Sequence, residues 1–333
     1  MLNKRKLRGA VATMALVMGG NAAMAADELT VAYFLEWPMP FQYAKVQGLY
    51  EEALGIPINW VSFDTGTAMS ASMASGDVQI SLSQGLPPFV IAASAGQDLQ
   101  IVDVAVSYSD NDNCVVADSL EIDKTNAKEL EGKRVGIPIG TAAHYGFLKQ
   151  MEHFKVDIST MEIVDMAPAE GAAAFAQGNL DFVCGFGGGL RRMQEHGNVL
   201  LTGAEKEELG ILVFDVISTT SDFAAEEAEL LTKFLKVTAD ANAKWNSNDG
   251  RAEMMQVIAE DAGMELADAE ASIGTFTFPD PQSVSGDKWL GGGVQEFMKG
   301  VADVFANAGS IESAQDSYEA NVNASFIDAV AKQ

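Results

Sequence analysis

Two strand-to-helix junctions and one out-of-place carboxylate carry the chemistry of this chain. At the first junction, Ile80-Ser-Leu-Ser83-Gln84-Gly85 alternates apolar with small polar residues, and Leu86-Pro87-Pro88-Phe89 opens a helix at once. Proline suits a first helical turn, because its missing N–H would have had no partner there. At the second, Val135-Gly-Ile-Pro-Ile139 reads as a strand, Gly140-Thr141 as a turn and Ala142-Ala143-His144-Tyr145 as the first turn of a helix. The unpaired N–H groups of such helix starts carry partial positive charge and receive anions. Two of them in separate halves of one chain point to a ligand gripped from both sides. The carboxylate is Asp215, inside Ile211-Leu-Val-Phe-Asp-Val-Ile217, a run that otherwise reads as a buried strand. A buried charge needs a partner. A ligand cation is one; an internal Lys or Arg is the other.

The elements that position these residues alternate at short spacing. Leu29 to Phe34 reads as a strand, Phe41 to Glu52 as a helix ending near Gly55, and Ile58 to Phe63 as a second strand. Asp64-Thr65-Gly66-Thr67 leads into a helix through Met73, with Gly76 just past its end, and Val78 to Leu82 is a third strand. This pattern favours a parallel sheet with helices on both faces. An internal echo supports two such units. Met73-Ala-Ser-Gly76-Asp-Val-Gln-Ile-Ser-Leu-Ser-Gln-Gly85 parallels Phe175-Ala-Gln-Gly178-Asn-Leu-Asp-Phe-Val-Cys-Gly-Phe-Gly187 as helix, glycine stop, strand and glycine turn. A second lobe is expected from about Ala117 to Leu212, with Asn113–Val116 and Val213–Ser218 as the strands crossing between lobes. From Glu226 onward the pattern is mostly helical, and that portion is expected to pack back on the first lobe.

The first 25 residues read as an export signal: Lys4, Arg5, Lys6 and Arg8, then the apolar stretch from Val11 to Met18, then Ala23-Met24-Ala25 for cleavage. The apolar stretch is too short for a membrane anchor, so export to a bacterial periplasm is the simplest destination. The formal net charge is −26. Loss of the signal makes the chain four charges more acidic still, which excludes nucleic acid as a partner. An anion site must then be local, built from backbone dipoles. Cys114 and Cys184 are the two cysteines. In an oxidising compartment they suggest a disulfide, with two buried thiols as the alternative.

Thr30-Val-Ala-Tyr33, Phe63-Asp-Thr-Gly66, Met73-Ala-Ser-Gly-Asp-Val-Gln-Ile80, Thr141-Ala-Ala-His-Tyr145 and Phe214-Asp-Val216 follow one another along most of the chain. On these segments the sequence resembles the substrate-binding proteins of taurine ABC importers, within the type II periplasmic binding proteins. The resemblance implies an α/β fold of two doubly wound lobes joined by two crossover strands, with a ligand cleft between them. Residues 26–115 and 216–333 would form the first lobe and 116–215 the second. It also implies delivery of the ligand to a membrane permease, monomeric action, and no cofactor or metal. Three segments depart from the pattern: Ser83-Gln84-Gly85, Phe186-Gly-Gly-Gly189 and Phe34-Leu-Glu-Trp37.

Taurine carries a sulfonate and an ammonium two carbons apart, so its receptor needs donors at one end and an anionic acceptor at the other. The expected donors are Ser83, Gln84 and Gly85 from the first lobe and Thr141, Ala142 and His144 from the second. Thr141 reads alternatively as a plain helix cap, His144 as a packed histidine and Tyr145 as either a ligand contact or a core residue. For the ammonium, Asp215 is expected first and Glu36 second. Trp37 would cover the cation or pack beside the hinge, and Phe186 would close the pocket against the spacer.

Another small sulfonate, an aminophosphonate or nitrate would use the same dipoles, although an acidic residue at one end argues against nitrate and plain alkanesulfonates. An enzyme on the same fold is the reading from another class. Against it, His144, His153 and His196 lack metal-ligand spacing, and Gly187-Gly-Gly189 lacks the pattern of a nucleotide-binding loop.

Overall fold

The computed structural model describes residues 28–248 and 250–333. The expected export signal lies outside the described residues. Among the described residues eleven strands form two sheets: β1 (Leu29–Phe34), β2 (Ile58–Phe63), β3 (Ile80–Gly85), β4 (Leu99–Tyr108), β5 (Asp112–Ala117), β6 (Arg134–Ile137), β7 (Glu162–Asp165), β8 (Phe182–Phe186), β9 (Gly197–Val199), β10 (Phe214–Thr220) and β11 (Phe276–Thr277). The first sheet runs β11-β4-β10-β3-β1-β2 and the second β7-β6-β8-β5-β9.

The two sheets share a plan. In the first, β1 pairs in parallel with β2 and β3, and β10 returns antiparallel beside β3. In the second, β6 pairs in parallel with β7 and β8, and β5 enters antiparallel beside β8. Thus β3 and β8, the strands of the internal echo, hold equivalent places. Gly76 and Gly178, at φ +84° and +73°, end the equivalent preceding helices in the left-handed region where glycine is favoured. Central strand residues such as Val31, Ile80 and Val216 in the first sheet, and Val135 and Val183 in the second, are fully buried. Helices on both faces of a parallel sheet produce such continuous apolar strands.

The chain leaves the first sheet after Tyr108 and enters the second at Asp112; it leaves the second after Val199 and rejoins the first at Phe214. Asn113–Val116 therefore lies wholly in the second sheet and Val213–Ser218 in or beside the first. The crossings themselves are the short irregular stretches before them. Asp110 ties the two together, accepting the Gly203 N–H at 2.6 Å. Cys114 and Cys184 face each other in the β5–β8 register and are bridged.

The expected helix from Phe41 to Glu52 is two helices, Pro40–Val46 and Leu49–Leu54, separated by Gly48 in the left-handed conformation. The break turns Tyr50 into the core, where its hydroxyl meets that of Thr238 at 2.8 Å. Beyond Glu226 the chain is mostly helical, as expected, apart from β11 and irregular stretches. Helices Ala228–Asn246 and Arg251–Ala262 pack on helix Pro40–Val46, while helix Gly293–Asn307 touches both helix Leu86–Ser94 and helix Ala142–Phe154.

Candidate functional site

A small cavity of about 20 Å³ lies where the ends of the two sheets face each other, lined by Phe34, Trp37, Gly66, Gly85, Pro88, Tyr108, Asp112, Thr141, Ala142, Phe186 and Asp215. Three helix starts reach it. Helix Gly66–Ala74 brings Gly66, helix Leu86–Ser94 brings Gly85 and Pro88, and helix Ala142–Phe154 brings Thr141 and Ala142. Their donors are unequal. The first junction carries Pro87 and Pro88 in its opening turn, so it offers fewer N–H groups than its strand-to-helix form led one to expect. The second keeps its donors, because the first backbone bond of that helix runs from the Tyr145 N–H to the Thr141 carbonyl at 3.1 Å. Thr141 does not cap with its side chain; its hydroxyl donates to the Pro138 carbonyl at 2.7 Å.

Two carboxylates, one from each sheet, line the same cavity. Asp215 of β10 is 1 % exposed. It accepts the Ser83 hydroxyl at 2.5 Å and the Tyr108 hydroxyl, and the Trp37 indole approaches without completing a hydrogen bond. Burial pushes its pKa up to about 6 against those donors. Asp112, the first residue of β5, is equally buried, and its Oδ2 has no hydrogen-bond partner among the described residues. Burial raises its pKa to about 7, although the buried ammonium of Lys206 pulls the other way. Lys206 donates to the backbone carbonyl of Asp112. An orphaned buried acceptor is rare and costly. Here it faces a cavity already lined by a second carboxylate, which suits a cationic group.

Of the expected residues, Trp37, Gly85, Thr141, Ala142, Phe186 and Asp215 meet at this cavity. Ser83 stands behind it and orients Asp215. Gln84 is fully buried and donates to the Gly66 carbonyl at 2.7 Å and to Ser70 at 2.5 Å, fixing a helix start rather than facing the cavity. His144 also falls outside. Its Nδ1 accepts the Gly140 N–H at 3.1 Å, its ring lies 5.4 Å from Phe305, and burial lowers its pKa to about 4. Tyr145 packs edge-on to Phe297 and Phe305. Glu36 points away and forms a two-pronged ion pair with Arg192 of the second lobe at 2.9 and 3.0 Å. It lines a separate groove of about 320 Å³.

Sequence reading missed Phe34, Gly66, Pro88, Tyr108 and Asp112 as cavity residues. Asp112 carried a usable signal, since Asp110, Asp112 and Asn113 crowd polar atoms just before the apolar Cys114-Val-Val. Among the described residues there is no cluster of His, Cys, Asp or Glu placed to hold a metal ion, and no helix is long and apolar enough to cross a membrane.

The molecule has the two-lobe α/β architecture of periplasmic binding proteins. Residues 38–252 match the NMT1/THI5-like family, and the chain belongs to that family. It is 24 % identical over 306 residues to the taurine-binding periplasmic protein of Escherichia coli K12, covering 91 % of this chain and 93 % of that one. In structure it is similar to the periplasmic aliphatic sulphonate binding protein SsuA of Escherichia coli, with a TM-score of 0.73 at 20 % identity, covering 90 % and 94 % of the two chains. The periplasmic nitrate-binding protein NrtA of Synechocystis PCC 6803 follows at 0.69 and 12 %, covering 92 % and 86 %.

Proposed function

We propose that this chain is the periplasmic substrate-binding component of an ABC importer and that its ligand is taurine. It is a binding protein rather than an enzyme. The observation that carries the ligand assignment is the meeting of opposites in one cavity: the helix N-termini at Gly66 and Ala142 and the carboxylates of Asp215 and Asp112 line the same small space. The helix starts would receive the sulfonate, each favouring an anion by about 0.3–2 kcal/mol. The carboxylates would share the ammonium, with Trp37 and Tyr108 beside it. Two buried carboxylates make a poor receptor for nitrate or a plain alkanesulfonate, whose negative charge no cation would offset. An aminophosphonate or another small aminosulfonate is the second reading, since it presents the same two ends.

The names of the similar proteins agree with this class, and the basic, apolar and small-residue segments of the first 25 residues fit export to the periplasm. The two lobes, expected from the sequence to divide near 115 and 216, would close by bending the chain crossings just before those positions, near Ser109–Asn111 and in 200–213. The closed monomer would be the form that a permease receives. Calorimetric titration of the ligand-stripped protein with taurine tests the reading, with Asp215→Asn as the comparison. Micromolar or tighter binding that weakens at least about tenfold in the variant is expected. Absence of binding at millimolar taurine refutes the ligand, and binding indifferent to Asp215 refutes the assigned ammonium site.

A further inference from the structure

The ligand cavity and the 320 Å³ groove are neighbours, and Phe34, Trp37 and Phe186 line both. Phe186 packs against both of the other rings. Phe34 and Phe186 are 5.8 Å apart between centroids, and Trp37 and Phe186 are 6.4 Å apart. Phe34 and Trp37 come from the end of β1 and the loop after it, Phe186 from the end of β8, so the wall is assembled from both lobes. We infer that this aromatic wall sets the length of ligand the protein accepts, by dividing the ligand cavity from a groove roomy enough for the extra atoms of a longer one. The inference rests on the zwitterion reading above for the ends of the ligand; the wall concerns what lies between or beyond them.

The cavity has little slack. At about 20 Å³ it holds a water-sized group, so even taurine requires the lobes to ease apart. Each further methylene must then displace a packed ring, which close-packed interiors resist. Trp37 is braced within the wall. Tyr108 and Phe276 pack against Trp37 at 4.7 Å each. Beside it, the Glu36 carbonyl accepts the Gly188 N–H at 3.3 Å, and its carboxylate is held by Arg192. Next to Phe186, a Cβ at Gly187 would lie 2.8 Å from that same Glu36 carbonyl, and one at Gly188 would lie 2.6 Å from Glu36 Oε2. Gly187 and Gly188 therefore let the second lobe come close enough to press Phe186 against Phe34. On the far side, Asp64, Pro168 and Arg192 line space that no ring fills.

The test is calorimetry of taurine and its homologues with one and two further methylenes, against the native protein, Phe186→Ala and Phe34→Leu. The native protein is expected to lose affinity by about tenfold or more per methylene, and Phe186→Ala to lose less than about threefold while gaining absolute affinity for the longest homologue. Phe34→Leu, which keeps an apolar filler, should fall between and carries the test if Phe186→Ala does not fold. An unchanged length dependence in both folded variants, or a native protein indifferent to length, overturns the inference. If the native protein binds none of the series, the zwitterion assignment fails separately. The wall is then judged by acrylamide quenching of Trp37, read as the difference between each protein and its Trp37→Phe counterpart. Greater quenching in Phe186→Ala supports the partition, and equal quenching overturns it.

Discussion

Asp215 and Asp103 look alike in sequence, each a lone acid in an apolar strand, yet their surroundings differ. Asp215 collects two hydroxyls and faces the cavity. Asp103 of β4 is 5 % exposed, accepts the Val104 N–H at 2.7 Å, and burial raises its pKa to about 7. A carboxyl whose folded pKa lies above its unfolded value contributes stability that is complete below the unfolded value and is lost as pH rises through the folded one. Asp103→Asn should therefore raise unfolding free energy by about 1–3 kcal/mol near pH 8, and the gain should vanish near pH 4. His144, with its lowered pKa, acts in the opposite sense. The difference between native and variant proteins in urea, rather than either curve alone, is thus the readout. An equal gain at both pH values would refute burial as the cause.

At the level of elements, the helix starts work because glycine permits their approach. A Cβ at Gly66 would lie 2.6 Å from Pro88 Cγ and 3.3 Å from Gln84 Cγ, both buried. Gly66→Ala should cost about 1–3 kcal/mol of stability through overpacking and should weaken taurine binding by displacing the helix start at the cavity. Gly300 gives the contrast. It sits inside helix Gly293–Asn307 with open space where its Cβ would be. Gly300→Ala should stabilise by about 0.5–1 kcal/mol, because it removes only backbone freedom from the unfolded chain. Thermal unfolding of the pair, with a taurine titration of each, separates site geometry from helix propensity.

Over the whole molecule, two ion pairs bridge the mouth of the cleft: Glu36 with Arg192, and Arg191 with Asp268 at 2.5 Å. Both are partly exposed, and such pairs are worth about 0–1 kcal/mol. Arg192→Gln should accordingly weaken taurine by no more than about fivefold and enlarge the ligand-free molecule in small-angle scattering. A loss of a hundredfold or more would place Arg192 on the ligand itself. The division of labour between sequence and fold is plain in these residues. The strands β1 and β2, the glycine stops at Gly76 and Gly178, the two helix starts and the oddity of Asp215 were all legible, because each depends on neighbours a few residues away. The pairing of Asp112 with Asp215, the removal of Glu36 to Arg192, the packing of His144 on Phe305 and the aromatic wall were not. Those partners stand many tens of residues apart in the chain, and no local propensity records which side chains two lobes will bring into one small volume. Periodicity and turn chemistry are local and can be read in order. Which carboxylate is left without a donor, and which ring fills the last gap, depends on how distant surfaces close against each other.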